Sequence, residues 1–144
     1  MATIKLEVVS PDQMVYSDDI AMLIVRSTGG ELGILPRHAP LVTGLIPHAM
    51  RIKPNGGGEE RLIAVSGGFM EVTPEKITVL ANSAEESSNI DVERARKGYR
   101  RAKERIEQFR HGGPEASRID IHRAEIALQR AIARLRAAKV DFDE

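Results

Sequence analysis

The stretch GELGILPRHAPLVTGL, residues 30–45, combines three glycines, two prolines, one histidine and one carboxylate. It does not contain a nucleophile, a base and an orienting group together, so it does not have the makings of a catalytic site. Glycine and proline are expected to set the turns here, while Ile34, Leu35 and Leu41 are expected to lie in a core. The stretch therefore predicts a corner of a β structure, with a polar tip around Glu31 and Arg37.

The sequence on both sides of this corner has the pattern of short strands. Ile4, Leu6 and Val8 alternate with polar residues, and short apolar runs recur as far as KITVL at residues 76–80. Many short strands separated by turn residues are typical of an antiparallel sandwich or barrel. Because no helical period interrupts them, a parallel α/β sheet is not expected. We predict an antiparallel β-sandwich over residues 1–84.

The period changes after residue 89. Apolar residues then recur at alternating steps of three and four in two segments, first Ala95, Tyr99, Ala102, Ile106 and Phe109, then Ile121, Ala124, Leu128, Ala131, Leu135 and Ala138. Such stripes predict two amphipathic helices. Ser88 and Ser117 are the predicted N-caps, each with an aspartate three residues later. The link HGGPEAS is short, so we predict an antiparallel helical hairpin over residues 85–144 and an α+β fold overall.

Composition excludes several classes of protein. The chain has no cysteine, which excludes disulfides and thiolate chemistry. It has no apolar run long enough to cross a bilayer, and its first residues do not resemble a signal peptide. We therefore expect a chain that stays in the cytosol or reaches a membrane only through a partner.

The net charge of zero conceals an uneven distribution of charge. Residues 1–84 contain 7 Lys and Arg against 9 Asp and Glu, whereas residues 94–139 contain 14 against 5. A block this basic is expected to meet an anionic partner, such as nucleic acid, a nucleotide, lipid head groups or an acidic protein surface. A merely solvated helical face is the alternative.

No motif of an enzyme or a metal site is present. The sequence has neither a GxxxxGK[ST] nor a GxGxxG phosphate loop, and it has no GxSxG elbow. None of the four histidines has another histidine three or four residues away, so we predict no metal ligands. His38, between prolines and glycines, is expected to be a turn or interface residue. We predict no catalytic residue.

Two quoted stretches carry a family resemblance. GELGILPRHAPL at residues 30–41, followed by SGGFMEVTPEKITVLA at residues 66–81 and a basic helical hairpin, is similar to the epsilon subunits of bacterial F-type ATP synthases. The resemblance implies a flattened β-sandwich followed by two helices.

In function, the resemblance implies a non-catalytic subunit of the central stalk. Such a subunit binds the gamma subunit and the membrane ring of proton-carrying subunits, rotates with both, and couples proton flow to ATP synthesis. It requires no cofactor for catalysis. It is peripheral, on the cytoplasmic face of the cell membrane, and does not insert into the bilayer. The resemblance places Glu31 and His38 at the interface near the ring.

The resemblance also implies a regulatory hairpin. In this family the hairpin can extend along gamma toward an acidic segment of the catalytic beta subunits and suppress ATP hydrolysis. Arg123, Arg130 and Arg134 would then form the inhibitory basic face. In some members the closed hairpin binds ATP as a regulatory ligand, which Mg²⁺ can accompany. Carried over position by position, the ATP-binding residues here are Glu85, Ile90, Asp91, Arg94, Ala95, Arg101, Arg130 and Arg134.

The ATP-binding pattern has a second interpretation. Its first part, Ile90 to Ala95, recurs as IDIHRA at residues 119–124. An acid in the first turn and an arginine one turn later are favoured at the start of any such helix. An alternative function is a nucleic-acid-binding module that uses the basic hairpin. The aromatic residues Tyr99 and Phe109 lie on the apolar stripe, which disfavours base stacking.

Overall fold

Seven strands and two α-helices follow one another along the chain in the computed structural model, which describes residues 2–114 and 116–142. The strands are β1 (Ile4–Val9), β2 (Met14–Ser27), β3 (Gly30–Ile34), β4 (Leu41–Pro54), β5 (Arg61–Val72), β6 (Lys76–Ala81) and β7 (Ala84–Glu86). The helices are α1 (Val92–His111) and α2 (Ile121–Ala137). A short 3-10 turn precedes each helix, at Ser87–Asn89 and Ala116–Arg118.

The strands form one sheet that closes on itself. Their order is β1-β6-β5-β4-β2-β3, β1 also pairs with β2, and β7 pairs with β5. The ladders are antiparallel except for β1–β6, which is parallel. That ladder gives the first strand a partner on each side, so neither of its edges is left unpaired. The predicted β-sandwich followed by two helices is confirmed.

The core of the sandwich is built from alternate residues of the strands. Ile4, Leu6 and Val8 are at most 1% exposed, as their alternation predicts. Ile34 is fully buried and Leu41 packs against the core. The prediction for Leu35 was wrong, because its side chain is 55% exposed. Leu35 follows the last residue of β3, where the chain reverses and the alternation no longer determines burial.

The turn at residues 35–38 explains the local PRH sequence. The His38 amide donates to the Leu35 carbonyl at 3.2 Å, Pro36 occupies the second position, and Arg37 has a φ of 64°. These are the features of a type II turn, in which the third residue must adopt a positive φ. The Arg37 amide donates to the Pro74 carbonyl, whereas Glu31 faces Arg26 across the β2–β3 ladder. The two expected members of one polar tip thus make separate contacts.

Gly68 lies where β5 leaves no room for a side chain against β6. Its φ is 144°, and a Cβ atom at this position would lie 2.2 Å from the Leu80 carbonyl oxygen. A side chain would therefore meet backbone that cannot move aside without breaking the ladder. The glycine allows β5 to stay paired with both β4 and β6 at this position.

Each helix begins at an aspartate. The Asp91 carboxylate accepts from the Arg94 amide, and the Asp120 carboxylate accepts from the Arg123 amide, both at 3.1 Å. The predicted caps Ser88 and Ser117 were wrong by three residues, since both lie in the preceding 3-10 turns. Aspartate is as good an N-cap as serine, and its extended backbone lets the chain enter the helix.

The two helices form the predicted antiparallel hairpin. Ala95 and Tyr99 from the start of α1 share a buried cluster with Ala131 and Leu135 from the end of α2. The residues after α2 fold back onto the start of α1, where the rings of Tyr99 and Phe142 lie 5.3 Å apart. Apart from Phe109, which is 40% exposed at the end of α1, the predicted stripe of α1 is buried.

Helix α2 attaches the hairpin to the sandwich. Ala137 packs with Ile90 and with Ala64 of β5 in a small buried cluster. One ion pair beside this cluster joins Arg134 Nε to Glu85 Oε1 of β7 at 2.7 Å. Because β7 pairs with β5, the sheet continues past the predicted domain boundary between residues 84 and 85.

Candidate functional site

A cleft of about 520 Å³ runs between α1 and α2. Its floor consists of small residues at helical spacing: Ala95, Gly98 and Ala102 of α1, and Ala124, Ala127 and Ala131 of α2. Residues three and four apart share one face of a helix, so small residues at these positions leave a groove along the hairpin.

The walls of the cleft are basic. The cations that line it are Arg94, Lys97, Arg101 and Arg105 of α1, and Arg123, Arg130 and Arg134 of α2. Within the described part of the chain no carboxylate lines this cleft. Positive charges that converge in one concave site raise the local positive potential and attract anions. Guanidinium groups are also suited to phosphate oxygens, which they can bind through two parallel hydrogen bonds.

The cleft contains all four arginines that the family pattern pointed to. Arg94 and Arg101 come from α1, and Arg130 and Arg134 come from α2. Ala95 lies on the floor between them. The hairpin therefore brings together groups that are up to 40 residues apart in the sequence.

Three further cations of the cleft were not predicted to belong there. Lys97 was expected to lie outside the site because it is not part of the family pattern, Arg105 was not considered, and Arg123 was predicted only for the inhibitory face. Their helical spacing relative to Arg94, Arg101 and Arg130 is the signal that would have placed them on the same face.

A smaller cavity of about 290 Å³ adjoins one end of the cleft. Glu85, Asn89 and Asp91 line it together with Arg94 and Arg134. Glu85 accepts a hydrogen bond from Arg134, and one oxygen of Asp91 caps α1. This end of the cleft thus offers oxygen acceptors for N–H groups beside the cations.

Ile90 and the predicted inhibitory face lie in surroundings that differ from those expected. Ile90 lies outside the cleft, buried in the cluster that attaches the hairpin to the sandwich. Arg123, Arg130 and Arg134, the predicted inhibitory face, all face the cleft in this closed conformation. They would become available to another protein only after the hairpin opens.

The predicted interface residues Glu31 and His38 are not brought together. Glu31 lies 3.9 Å from Arg26 in an exposed ion pair, beside a cavity that Arg136 of α2 also lines. The Nδ1 atom of His38 is 2.7 Å from the carbonyl of Ala39, in the turn after β3.

His48 is a polar residue whose role the sequence did not reveal. Its Nδ1–H donates to the Ile46 carbonyl at 2.7 Å, and its Nε2 accepts from the Arg26 amide at 3.0 Å. The ring therefore replaces a backbone acceptor where the β2–β4 ladder is irregular, between Ile24 and Ser27. Burial lowers the pKa of His48 below its usual 6.5, which agrees with a neutral ring that both donates and accepts.

An apolar row crosses the outer face of the sandwich. Phe69 of β5 pairs with Leu80 of β6, which pairs with Val9 of β1, which in turn pairs with Met14 of β2. Phe69, Leu80 and Met14 are each more than half exposed. Contiguous exposed apolar residues of this kind mark sites of protein association.

The described residues, 2–114 and 116–142, show no cluster of three or more histidine, aspartate or glutamate side chains that could hold a metal ion. Among the same residues no helix has both the length and the apolar character needed to cross a membrane. The nucleic-acid alternative gains no support, since Tyr99 is 8% exposed within the hairpin and lies against Phe142.

Comparison with known proteins identifies the family. Residues 3–87 match the model of the ATP synthase delta/epsilon chain β-sandwich domain, and residues 88–139 match that of its long α-helix domain. The ATP synthase epsilon chain of Alkalihalophilus pseudofirmus is 51% identical over 106 residues, which are 74% of this chain and 78% of that protein. The epsilon chain of Halalkalibacterium halodurans is 51% identical over 108 residues, which are 75% and 80% of the two chains.

A solved structure shows the same fold. A chain of the Euglena gracilis mitochondrial ATP synthase, in an assembly of OSCP, F1 and c-ring, superposes with a TM-score of 0.76 at 25% identity, over 96% of this chain and 82% of that chain. The predicted resemblance is thereby confirmed, as is the prediction of a subunit that is not an enzyme on its own. The chain belongs to the family of ATP synthase delta and epsilon chains, as an epsilon subunit of the bacterial F type.

Proposed function

We propose that this chain is a central-stalk subunit of a proton-translocating ATP synthase and that its hairpin regulates the enzyme in response to ATP. Its partners would be the gamma subunit, the membrane ring of proton-carrying subunits and, when the hairpin opens, an acidic segment of the beta subunits. The complex would hold it as a peripheral subunit on the cytoplasmic face of the cell membrane.

The apolar row of Phe69, Leu80, Val9 and Met14 supports docking of the sandwich to another subunit. Phe69 is 64% exposed, although the removal of a phenyl ring from water is energetically favourable. We assign Glu31 and His38, which lie at separate places on the sandwich, to contacts with the ring. In this arrangement the sandwich joins the rotor while the hairpin stays free to move.

Co-purification with the gamma subunit tests the docking surface. Phe69→Ala should weaken gamma binding about tenfold, because the loss of a buried aromatic contact at an interface commonly costs about 1.4 kcal/mol or more. Phe109→Ala removes a ring that is also partly exposed, but on α1, and should leave binding unchanged. Full retention of gamma by Phe69→Ala would show that the row is not the docking surface.

The basic cleft is the observation that supports ATP binding. Its four family-pattern arginines can surround a triphosphate, and the adjoining cavity offers Glu85, Asn89 and Asp91 as acceptors for an adenine amino group. Both helices line the cleft, so a ligand bound there holds them together. A ligand that binds only the closed hairpin stabilises it by RT ln(1 + [L]/Kd). Mg²⁺ can accompany the triphosphate, and we assign no side chain as a ligand of the metal ion.

Calorimetric titration of the full chain with ATP tests this proposal. Arg94→Ala or Arg101→Ala should weaken binding about ten- to a hundredfold, since each removes hydrogen bonds to a charged group worth roughly 1.5–3 kcal/mol.

Arg100→Ala is the matched control for the ATP titration. It makes the same charge change on α1, one position from Arg101, but at an exposed residue outside the cleft. It should lower the affinity for ATP less than about threefold, an effect below 1 kcal/mol that is typical of an exposed surface charge. Equal losses in Arg100→Ala and Arg101→Ala would indicate a diffuse basic surface, and no binding by the wild type would exclude ATP sensing by this chain.

A further inference from the structure

The two helices of the hairpin carry an internal repeat. IDVERARKGYRRAKER at residues 90–105 and IDIHRAEIALQRAIAR at residues 119–134 share isoleucine, aspartate, arginine and alanine at the same positions. The repeat extends well beyond the helix start. Arg94, Arg101 and Arg105 correspond to Arg123, Arg130 and Arg134 at a constant offset of 29 residues. Helix-start preferences account for the first of these arginines and not for the other two.

The repeat has a structural counterpart. Asp91 and Asp120 cap their helices with nearly the same backbone angles, φ of −77° and −81° and ψ of 97° in both. The helices are antiparallel, so corresponding residues are related by an approximate two-fold axis across the middle of the cleft. Apart from Lys97, every residue that lines the cleft has its repeat counterpart in the lining as well.

The two ends of the cleft differ in their surroundings. At the end near the sandwich, Arg134 is paired with Glu85 of β7. At the other end, Arg105 and Arg123 have no carboxylate within ion-pair distance among residues 2–114 and 116–142. The repeat thus places one arginine from each helix at both ends of the cleft. Among the described residues, only the pair at the sandwich end is partly neutralised by a carboxylate.

The cleft is longer than the part that the nucleotide proposal uses. Arg94 and Arg105 are eleven residues apart on α1, and a helix rises about 1.5 Å per residue, so the basic wall extends for roughly 16 Å. Arg105 and Arg123, at the end away from the adenine acceptors, are left over when a nucleotide occupies the other end. Among the described residues, the alanine and glycine floor has no side-chain polar group that would recognise a base at this second end.

We propose that the whole cleft binds a linear condensed phosphate, inorganic polyphosphate, with Arg105 and Arg123 as a second anion subsite. A phosphate chain presents the same oxygens along its entire length, which matches a cleft with the same arginines at both ends. Guanidinium groups on two facing walls can each bind oxygens of successive phosphates. This site shares the cleft with the proposed ATP site, but it requires no base and does not depend on ATP binding.

Calorimetric titration of the full chain with three probes tests the proposal: inorganic tripolyphosphate, a polyphosphate of ten or more units, and ATP. The longer chain should bind at least about tenfold more tightly than tripolyphosphate, because it adds charged hydrogen bonds at the second subsite. Arg105→Ala and Arg123→Ala should each weaken binding of the longer chain about tenfold or more. The same variants should change ATP binding less than about threefold.

Controls separate a built subsite from diffuse charge. Arg100→Ala removes an equal charge outside the cleft, and an equal loss of long-chain affinity in this variant would overturn the proposal. It would also be overturned if the longer chain bound no more tightly than tripolyphosphate. Helical circular dichroism checks that each variant is folded, and Arg105→Lys, which keeps the charge but not the planar fork, should bind the longer chain with intermediate affinity.

The outcomes for ATP and polyphosphate are independent. Long-chain binding that depends on Arg105 and Arg123 supports the second subsite even if ATP does not bind. ATP binding that depends on Arg94, together with polyphosphate binding that is insensitive to Arg105 and Arg123, supports the nucleotide site and overturns the second subsite.

Discussion

At the scale of single residues, His48 links strand pairing to pH. Its neutral ring joins the Arg26 amide to the Ile46 carbonyl, and protonation would place a second N–H against the Arg26 N–H. Burial, the nearby Arg26 and the loss of an acceptor all act against the charged ring. The next residue, Ala49, packs against the cluster of Ala64, Ile90 and Ala137 that attaches the hairpin to the sandwich.

We expect His48 to make the sandwich less stable in mild acid. Because the pKa of His48 is lower in the folded than in the unfolded state, the unfolded chain binds more protons once the pH drops below about 6.5. Its stabilising contribution is complete above that pH and is lost as the pH falls toward the folded pKa. Urea denaturation at pH 7.5 and 5.5 measures the effect.

His48→Gln is the control for this pH dependence, because glutamine stays neutral and has both a donor and an acceptor. Its free energy of unfolding should decrease less between pH 7.5 and 5.5 than that of the wild type. The other histidines are the same in both proteins, so the difference between the two decreases reports on His48. Identical decreases would show that His48 does not contribute.

The sequence did not reveal this role because the partner that distinguishes His48, the Arg26 amide, is far away along the chain and belongs to no sequence motif with it. Arg26 is 22 positions away, and their contact depends on an irregularity in the β2–β4 ladder. The exposed position of Leu35 was missed for a related reason. Alternation predicts burial within a strand, but it does not tell at which residue the strand ends.

At the scale of secondary structure, the helix starts are defined by aspartate caps. Asp91 and Asp120 each follow a 3-10 turn and accept from the amide three residues later. The serine three residues before each aspartate belongs to the turn instead. Sequence reasoning found both segments and their buried faces, because apolar periodicity repeats many times along each helix. It misplaced the caps because serine and aspartate are equally good caps and stand close together.

Paired substitutions distinguish the two capping assignments. Asp120→Ala should lower the free energy of unfolding of the hairpin by about 1 kcal/mol, the usual cost of losing an N-cap. Ser117→Ala removes only an exposed contact of its hydroxyl with the Pro114 carbonyl at 3.4 Å, and should change stability by less than about 0.5 kcal/mol. Amide hydrogen exchange at the first turn of α2 measures both. Equal effects would mean that Ser117 shares the capping role.

The candidate site was predictable only in part. Arg94, Arg101, Arg130 and Arg134 were found through a family pattern, and the structure places all four in one cleft. Lys97 and Arg105 also line the cleft. Their helical spacing places them on the same face of α1 as Arg94 and Arg101, but it does not show that this face borders a cleft until the position of α2 is known. The proximity of the arginines of α1 to those of α2 depends on the antiparallel register of the two helices. That register is a tertiary feature, which the linker sequence alone does not determine.

At the scale of the whole molecule, the sandwich and the hairpin have separate cores. Among residues 2–114 and 116–142, the sandwich core has eighteen buried residues from its strands, whereas the hairpin cluster has four. The hairpin is attached through α2, by the small cluster around Ala137 and the ion pairs Arg134–Glu85 and Lys139–Glu59. Partly exposed ion pairs contribute little stability, and alanines bury little area. Separation of the hairpin from the sandwich should therefore cost much less than unfolding the sandwich.

Removal of residues 88–144 should leave a folded sandwich that still assembles into the complex, because the cut preserves β7 and its pairing with β5. If the hairpin is the inhibitory arm, ATP hydrolysis by the assembled complex should rise about fivefold or more, the lower range of ordinary regulatory coupling. In the full chain, the combined replacement of Arg123, Arg130 and Arg134 by alanine should reproduce this rise. These cations line the cleft of the closed hairpin, and in the proposed open form they would reach an acidic surface. Arg100→Ala should not. Unchanged hydrolysis after truncation, in complexes that retain the sandwich, would rule out the inhibitory role and leave the docking role intact.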